Sequence, residues 1–169
     1  NTRKEMQLPA SFKAWKWKND NIATEEGIER YFHAKTNIGV ALGKRSNGLV
    51  DLDFDSPAAA AIGNLIFATL PSFGRKSAPY SHRFVKCKNP EKTVQFSLTK
   101  EEASKIGFSA EEKTMLLELR SNGAYTMTPP STHPSGELLK WNGSLPESLP
   151  EVDYETLKEI FPITFKLSL

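Results

Sequence analysis

The sequence predicts a mixed α+β domain built from antiparallel strand pairs, which is not the pattern of a doubly wound parallel sheet. Short segments of strand composition alternate with short helical segments, and two pairs of predicted strands are joined by tight-turn sequences. The chain has 169 residues, which is the size of one domain with one core. We therefore expect residues 1–169 to form a single catalytic domain.

The first part of the chain predicts a helix followed by a hairpin. Thr24 can cap a helix whose apolar residues recur at helical spacing up to Phe32. Residues 37–42 have strand composition and lead into a polar turn at 43–48. Residues 49–54 then resume as a second strand, so the two strands are expected to pair as a hairpin.

The middle of the chain predicts a helix, a loop and two strands. Ser56 and the proline that follows it supply an N-cap and a first-turn proline for a helix to about Thr69. Residues 71–79 have the composition of a loop. Residues 80–86 and 93–98 are predicted strands.

The last third predicts a second hairpin. Thr99 and Glu102 form a capping box for a short helix to about Ile106. The strand predicted at 114–120 meets the turn sequence Ser-Asn-Gly and returns through 125–127. The remaining predicted elements are a short strand and a final helix, at residues 137–141 and 153–160.

Composition sets limits without assigning a function. The formal net charge of +2 is too small to indicate nucleic-acid binding by itself. Cys87 is the single cysteine, which excludes an internal disulfide and a multi-cysteine zinc site and fits a reducing cytoplasm. No apolar run reaches the roughly 20 residues of a membrane span, so no membrane partner is expected. The missing initial methionine suggests a fragment of a larger protein.

Three acids crowd the predicted strand at 49–54 and its end. Strand alternation puts Asp51, Asp53 and Asp55 on one face. Carboxylates about 6 to 7 Å apart repel each other and call for a cation. Two Mg²⁺ or Mn²⁺ ions about 3.5 to 4 Å apart, as used in phosphoryl transfer, suit carboxylate oxygens. The alternative is an exposed sheet face, with Asp55 at the start of the following helix.

Glu118 is the candidate for a further metal-binding carboxylate. It lies between two leucines in the strand predicted at 114–120. A two-metal site usually needs an acid from another segment in addition to those on its first strand. The alternative is an ion pair with an arginine or lysine across the sheet.

A basic loop precedes the predicted strand at 80–86. Arg75 and Lys76 in the loop are followed closely by Ser81, His82 and Arg83. Arginine and lysine neutralise phosphate oxygens, and histidine can donate a further hydrogen bond. These residues indicate a triphosphate site, with an ordinary solvated surface and a structural histidine as the alternatives.

The order of these segments resembles that of bifunctional primase-polymerase domains, members of the archaeo-eukaryotic primase superfamily found in plasmid and phage replication proteins. The resemblance covers about residues 20–143. The segments that carry it are Asn37–Gly43, Leu49–Asp53, Ser81–His82, Leu117–Arg120, Pro129–Gly136 and Trp141.

Three motifs of that family have counterparts here. The hydrophobic-Asp-hydrophobic-Asp strand is matched by Asp51 and Asp53, and the Ser-and-His motif by Ser81 and His82. The third motif is an acid after a hydrophobic residue, often aspartate. Glu118 holds that place here, and it keeps the carboxylate but adds one methylene.

The resemblance implies a primase fold, in which an RRM-like antiparallel sheet carries the acids beside a smaller N-terminal α/β unit. It also implies template-directed nucleotide addition, with primer synthesis in many members. The residues implied to hold two Mg²⁺ or Mn²⁺ ions are Asp51, Asp53 and Glu118. The residues implied to grip the phosphates of an NTP or dNTP are Ser81, His82, Arg83 and Arg75.

The implied partners are a single-stranded DNA template and a helicase in the same protein or complex, in a phage, plasmid or bacterial mobile element. His133, in the turn-rich segment Pro129–Gly136, is a further candidate for contact with nucleotide or template. Trp15, Trp17 and Tyr125 could stack on template bases, or they could pack in the core. The rival functions are a metal-dependent nuclease and a non-catalytic module that binds single-stranded DNA.

Overall fold

A computed structural model describes residue 25 and residues 36–105 and 115–167. The elements below belong to one compact unit, Asn37–Leu169. The helix predicted from Thr24 to Phe32, the N-terminal α/β unit and the two tryptophans at 15 and 17 lie outside the described residues.

The described part contains nine strands and three helices. The strands are β1 Ile38–Ala41, β2 Leu49–Phe54, β3 Ser72–Arg75, β4 Ala78–Lys88, β5 Val94–Ser97, β6 Met115–Arg120, β7 Tyr125–Thr128, β8 Lys140–Trp141 and β9 Glu151–Asp153. The helices are α1 Pro57–Ile66, α2 Lys100–Lys105 and α3 Tyr154–Leu167, and Lys44–Ser46 is a turn of 3-10 helix.

One large sheet dominates the fold. Its strands follow the order β5-β6-β2-β4-β3-β8 and pair antiparallel, while β9 pairs parallel with β4. Strands β1 and β7 form a separate two-stranded antiparallel sheet. The predicted mixed fold with antiparallel pairing is therefore confirmed, and β2, which carries the acids, lies between β4 and β6.

Both predicted hairpins are wrong, although the chain does turn where expected. Gly43 N donates to Leu49 O at 2.7 Å, and Gly48 N donates to Gly43 O at 3.0 Å. Strand β1 nevertheless pairs with β7, because β4 and β6 already occupy both edges of β2. The edges of β6 are likewise taken by β2 and β5, so β7 leaves the large sheet after the second turn.

The loop predicted at 71–79 is wrong over Ser72–Arg75, which forms β3. Phe73 is fully buried there and packs against Phe84 and Trp141. A Cβ at Gly74 would collide with the carbonyl oxygen of Ala78. This glycine therefore permits a close backbone approach between β3 and β4. The composition of residues 71–79 predicted a loop because it does not report this strand pairing.

The helix starts predicted at Ser56 and Thr99 are confirmed. Ser56 caps α1 by accepting a hydrogen bond from Ala59 N at 3.1 Å, and the helix ends at Ile66, before the predicted Thr69. At the start of α2, Thr99 and Glu102 exchange the two hydrogen bonds of a capping box, at 2.8 and 3.1 Å.

The main core lies on the face of the large sheet opposite to the acids. Val50, Leu52 and Phe54 alternate along β2 with the aspartates and are buried against α1 and α3. A Cβ at Gly63 of α1 would collide with the Phe54 ring, so the glycine lets the helix approach the sheet. Cys87 is also buried in this core, and burial raises the pKa of its thiol to about 12.

No helix in the described ranges is long and apolar enough to cross a membrane.

Candidate active site

A row of polar side chains crosses the centre of the large sheet. Asp53 of β2 is paired with His82 of β4 on one side and with Glu118 of β6 on the other. Asp51 is paired in the same way with Phe84 and Arg120. Directly opposed residues in an antiparallel sheet share a face. Alternation along β2 predicted that Asp51 and Asp53 share a face, and strand pairing adds Glu118 to that face.

His82 bridges the two aspartates. Its Nδ1 lies 3.1 Å from Asp51 Oδ2 and 3.5 Å from Asp53 Oδ1. The imidazole stacks on Phe73, with ring centroids 4.7 Å apart and planes 10° from parallel. Burial disfavours the charged imidazolium, but the charges of Asp51 and Asp53 outweigh burial and raise the pKa of His82 to about 9. His82 is therefore a cation near neutral pH.

The aspartates occupy a dry position. Asp51 is fully buried, and its Oδ1 has no hydrogen-bond partner among the described residues. Burial is the main cause that raises the pKa of Asp53 to about 7; Asp51 and Asp55 add to the rise, and His82 opposes it. A buried carboxylate oxygen without a donor is costly. Asp51 Oδ1 would therefore lose little hydration on binding a cation.

Arg120 is a residue of this site that the sequence interpretation missed. Its guanidinium contacts one oxygen of each predicted metal-binding acid: Nη1 lies 3.8 Å from Asp51 Oδ2 and 3.5 Å from Asp53 Oδ2, and Nε lies 3.5 Å from Glu118 Oε2. Arg120 follows Glu118 by two positions on β6 and therefore shares its face. The alternation argument used for β2 would have found it if applied to β6.

Glu118 lies at the far end of the row. Its Oε1 accepts a hydrogen bond from Gln95 Nε2 of β5 at 2.9 Å, and its Oε2 faces Arg120. The alternative of an ion pair with an arginine is thus realised, although the partner lies on the same strand and not across the sheet. This pairing coexists with the position next to Asp53 that a metal ligand would need.

A pocket of about 480 Å³ opens over this row. Its walls include residues of β2, β4, β6 and β7 and of the segment after β7. The polar and aromatic wall residues include Asp53, Asp55, Arg75, Ser81, His82, Arg120, Tyr125, Thr126 and His133. Asp51 and Glu118 are not among the wall residues; Asp51 is fully buried, and both flank Arg120 through its contacts.

Four of the predicted nucleotide-binding residues meet in this pocket. Ser81, His82, Arg75 and His133 all lie in its walls. Ser81 is largely buried, and its Oγ donates to Ala78 O at 3.1 Å. The other three place ring nitrogens and a guanidinium around one cavity, which suits an anionic ligand.

A polar chain orders the rim of the pocket. Arg75 Nε lies 3.4 Å from Glu137 Oε2, and Ser135 Oγ donates to that same oxygen at 3.1 Å. Ser135 in turn lies 2.9 Å from His133 Nδ1. Hydrogen bonds from Ser77 are the largest cause that lowers the pKa of Glu137. Glu137 therefore stays ionised at the rim. Its carboxylate contacts Arg75 directly and is linked to His133 through Ser135.

Lys76 lies beside the pocket and not in its wall. It is exposed and lines a neighbouring groove of about 520 Å³ together with Lys140 and Asn142. Arg75 lines both cavities. The prediction that Lys76 grips the same phosphates as His82 does not fit this position, because Lys76 lies in the turn between β3 and β4 and lines the neighbouring groove, not the pocket over the acids.

Arg83 is a correction to the predicted nucleotide-binding set. It follows His82 on β4 and therefore points to the opposite face, where it is 1 % exposed. Its Nη1 donates to Phe67 O at 3.1 Å and to Leu70 O at 3.2 Å, and its Nη2 donates to Asn64 Oδ1 at 2.6 Å. Arg83 thus satisfies carbonyls at the end of α1 and lies outside the pocket.

Replacing Arg83 should therefore affect stability and not nucleotide binding. We expect Arg83→Met to lower the free energy of unfolding by about 3 kcal/mol, because buried carbonyls lose their donors. Urea denaturation measures this loss, with Lys88→Met, an exposed site on the same strand, as the matched control. A raised KM for nucleotide with unchanged stability would contradict this assignment.

The carboxylates fit a hard divalent cation by donor chemistry. Asp51, Asp53 and Glu118 offer oxygen ligands on one face, and one of these oxygens, Asp51 Oδ1, is buried with no donor among the described residues. Within residues 36–105 and 115–167, no three His, Cys, Asp or Glu side chains already converge on an ion position. Each of the three acids instead places an oxygen near Arg120, and the two aspartates also contact His82, so the chain's own cations balance the acids.

A comparison with known protein families gives a match over most of the chain. The model of the bifunctional DNA primase/polymerase N-terminal domain matches residues 2–152, which include every strand of the site. No curated protein matches the chain. The match confirms the resemblance given by the motifs and indicates a function of the DNA primase or polymerase type. Because the match extends over most of the chain's length, this chain belongs to the family of bifunctional DNA primase/polymerase N-terminal domains.

Proposed function

We propose that this domain is a nucleotidyltransferase that extends a primer along a single-stranded DNA template. The observation that carries the proposal is the acidic row beside a pocket whose other walls bear Arg75, His82 and His133. The pocket volume of about 480 Å³ lies in the usual range for small-molecule sites, about 300 to 1,000 Å³. Acids for metal ions next to a cavity that carries cations for phosphates are what nucleotidyl transfer requires.

Asp51, Asp53 and Glu118 are the proposed ligands of two divalent ions, Mg²⁺ or Mn²⁺. When bound, such ions activate the primer 3′-hydroxyl and neutralise the pyrophosphate leaving group. Asp51 Oδ1 supports this role: it has no hydrogen-bond partner in the part of the chain that the structure describes, and a buried carboxylate oxygen without a donor gains most from a cation. Glu118 is the strand partner of Asp53, and its Oε1 accepts a hydrogen bond from Gln95, so its longer side chain is proposed to reach the same ions.

The nucleotide phosphates are proposed to bind the cationic side chains of the pocket wall. The Nδ1 of His82 is engaged with Asp51, so its Nε2–H is the donor left for a phosphate oxygen. Arg75 and His133 reach the same cavity from the ordered rim, and Ser81 completes the wall. These residues orient an NTP or dNTP without needing to move a proton, which matches a reaction dominated by positioning and charge.

The template is proposed to enter along the neighbouring groove. Lys76 and Lys140 extend the positive charge of Arg75 there, and phosphate backbones bind such strips of charge. Tyr125 is 47 % exposed in the pocket wall and offers a ring on which a template base could stack.

The wider setting belongs to the same proposal. By family resemblance, this is a catalytic domain of the archaeo-eukaryotic primase superfamily with an RRM-like sheet, acting in the cytoplasm during phage, plasmid or mobile-element DNA replication. Primer synthesis and a helicase in the same protein or complex complete the proposed context.

Primer extension with the 169-residue chain tests the proposal. A labelled primer on a single-stranded template is incubated with dNTPs or NTPs and Mg²⁺ or Mn²⁺, with matched reactions lacking nucleotide or containing EDTA. We expect longer products that require both the nucleotide and the divalent ion. Products shortened without nucleotide would replace the proposal by a nuclease, and bound but unchanged DNA would replace it by a binding module.

A further inference from the structure

One guanidinium contacts all three proposed metal-binding acids. Arg120 lies 3.5 to 3.8 Å from one oxygen each of Asp51, Asp53 and Glu118. His82, the other cation of the row, reaches only the two aspartates. Among the described residues, Arg120 is therefore the cation that contacts Glu118 and both aspartates.

The shortest polar contacts of Arg120 are with the small sheet. Its Nη2 donates to Tyr125 O at 2.8 Å, and its Nη1 donates to Thr126 Oγ1 at 3.3 Å. The contacts with the carboxylates are longer than these and act through charge. Strand β7 thus accepts hydrogen bonds that keep the Arg120 guanidinium beside the acids, and these bonds do not depend on a bound metal ion.

Such a cation has two opposite effects. It reduces the repulsion among carboxylates at strand spacing, so the row can form without a bound metal ion. It also repels any divalent ion that binds the same oxygens, because like charges a few ångströms apart interact strongly at low dielectric. Both effects follow from the charge of the guanidinium and would vanish with it.

We propose that Arg120 is a built-in counter-cation that holds the acids together in the ion-free protein and lowers their affinity for free divalent ions. This inference rests on the proposed metal site. The expected consequence is that ions bind well only together with a nucleotide triphosphate, whose negative charge offsets Arg120. The site would then load its ion with its substrate and remain empty between turnovers, a coupling of two ligands through one residue.

Mn²⁺ binding without nucleotide tests this role directly. Free Mn²⁺ is measured by electron paramagnetic resonance during titration of wild type, Arg120→Gln, Arg120→Lys and Arg45→Gln. The glutamine variant keeps hydrogen-bonding capacity but loses the charge, and we expect it to bind Mn²⁺ on the order of tenfold more tightly. The lysine variant should resemble wild type, as should Arg45→Gln, which removes the same charge from the Lys44–Ser46 turn.

Thermal unfolding supplies a second readout. In EDTA, Arg120→Gln should unfold at a lower temperature than wild type, and saturating Mn²⁺ should raise its Tm more than that of wild type. If the glutamine variant does not fold, Arg120→Met repeats both measurements with a side chain of similar length.

The inference would be overturned if Arg120→Gln or Arg120→Met bound Mn²⁺ no more tightly than wild type. It would also be overturned if none of the proteins bound Mn²⁺. Wild-type primer extension, run in parallel, separates this result from the proposed function. Extension with unchanged Mn²⁺ affinity in Arg120→Gln removes only the role of Arg120, whereas absent extension removes the polymerase proposal.

Discussion

Primer extension is expected to fall about a thousandfold when Asp53 is replaced by asparagine, which corresponds to about 4 kcal/mol of lost transition-state stabilisation. The amide keeps the shape of the side chain but removes one of the charged oxygens proposed to hold the ions. Asp53 lies between His82 and Glu118 in the row, so its loss affects both the ion site and the phosphate wall.

The stability of the same variant separates chemistry from folding. Burial raises the pKa of Asp53 to about 7, which means that the folded protein disfavours its charge. A neutral asparagine should therefore leave the Tm at pH 8 unchanged or raise it. Single-turnover extension and thermal unfolding are measured together, with exposed Glu147→Gln as the matched amide control. Full extension by Asp53→Asn would exclude Asp53 as an ion ligand.

Phe161→Ala should lower the free energy of unfolding by about 4 kcal/mol, the usual cost of deleting a buried phenyl ring. Phe161 is fully buried in α3 and packs edge-on against Phe54 at 5.5 Å and Phe96 at 5.6 Å between centroids. It also lies 6.2 Å from Phe67. The ring thus joins β2, β5 and the end of α1, and the resulting cavity cannot collapse without moving all of them.

Urea denaturation and thermal unfolding measure this loss. For a chain of this size the expected fall in Tm is about 10 °C. Ile163→Ala, two positions along α3 and 45 % exposed, is the matched control and should cost little. A loss below about 1.5 kcal/mol in Phe161→Ala would show that α3 contributes little to the core.

The sequence predicted individual elements better than their partners. The N-cap at Ser56 and the capping box at Thr99 depend on a few neighbouring residues, and both are present. Hairpins depend on competition for sheet edges. The turns after β1 and β6 are present. However, β2 and β6 each have neighbours on both edges, so β1 pairs with β7 instead. Nothing local in the sequence reports that competition.

The candidate site shows the same division. Alternation along β2 placed Asp51 and Asp53 on one face, and the paired strands brought Glu118 and His82 to them. The same rule was not applied to β4, where it excludes Arg83. The different positions of Arg75 and Lys76 could not be predicted from alternation, because Lys76 lies in the turn after β3; Arg75 lines both cavities, whereas Lys76 lines only the neighbouring groove.

Strand β4 uses both of its faces for unrelated purposes. His82 and Phe84 face the polar row and the aromatic cluster, while Arg83, Val85 and Cys87 face the helices. Inserting or deleting one residue within this strand would exchange the two sets. The imidazole would enter the core, and the buried guanidinium would face the acids. Changes of length in relatives and in engineered variants should therefore accumulate in the flanking turns, and loop grafting into this domain should leave β4 at its present length.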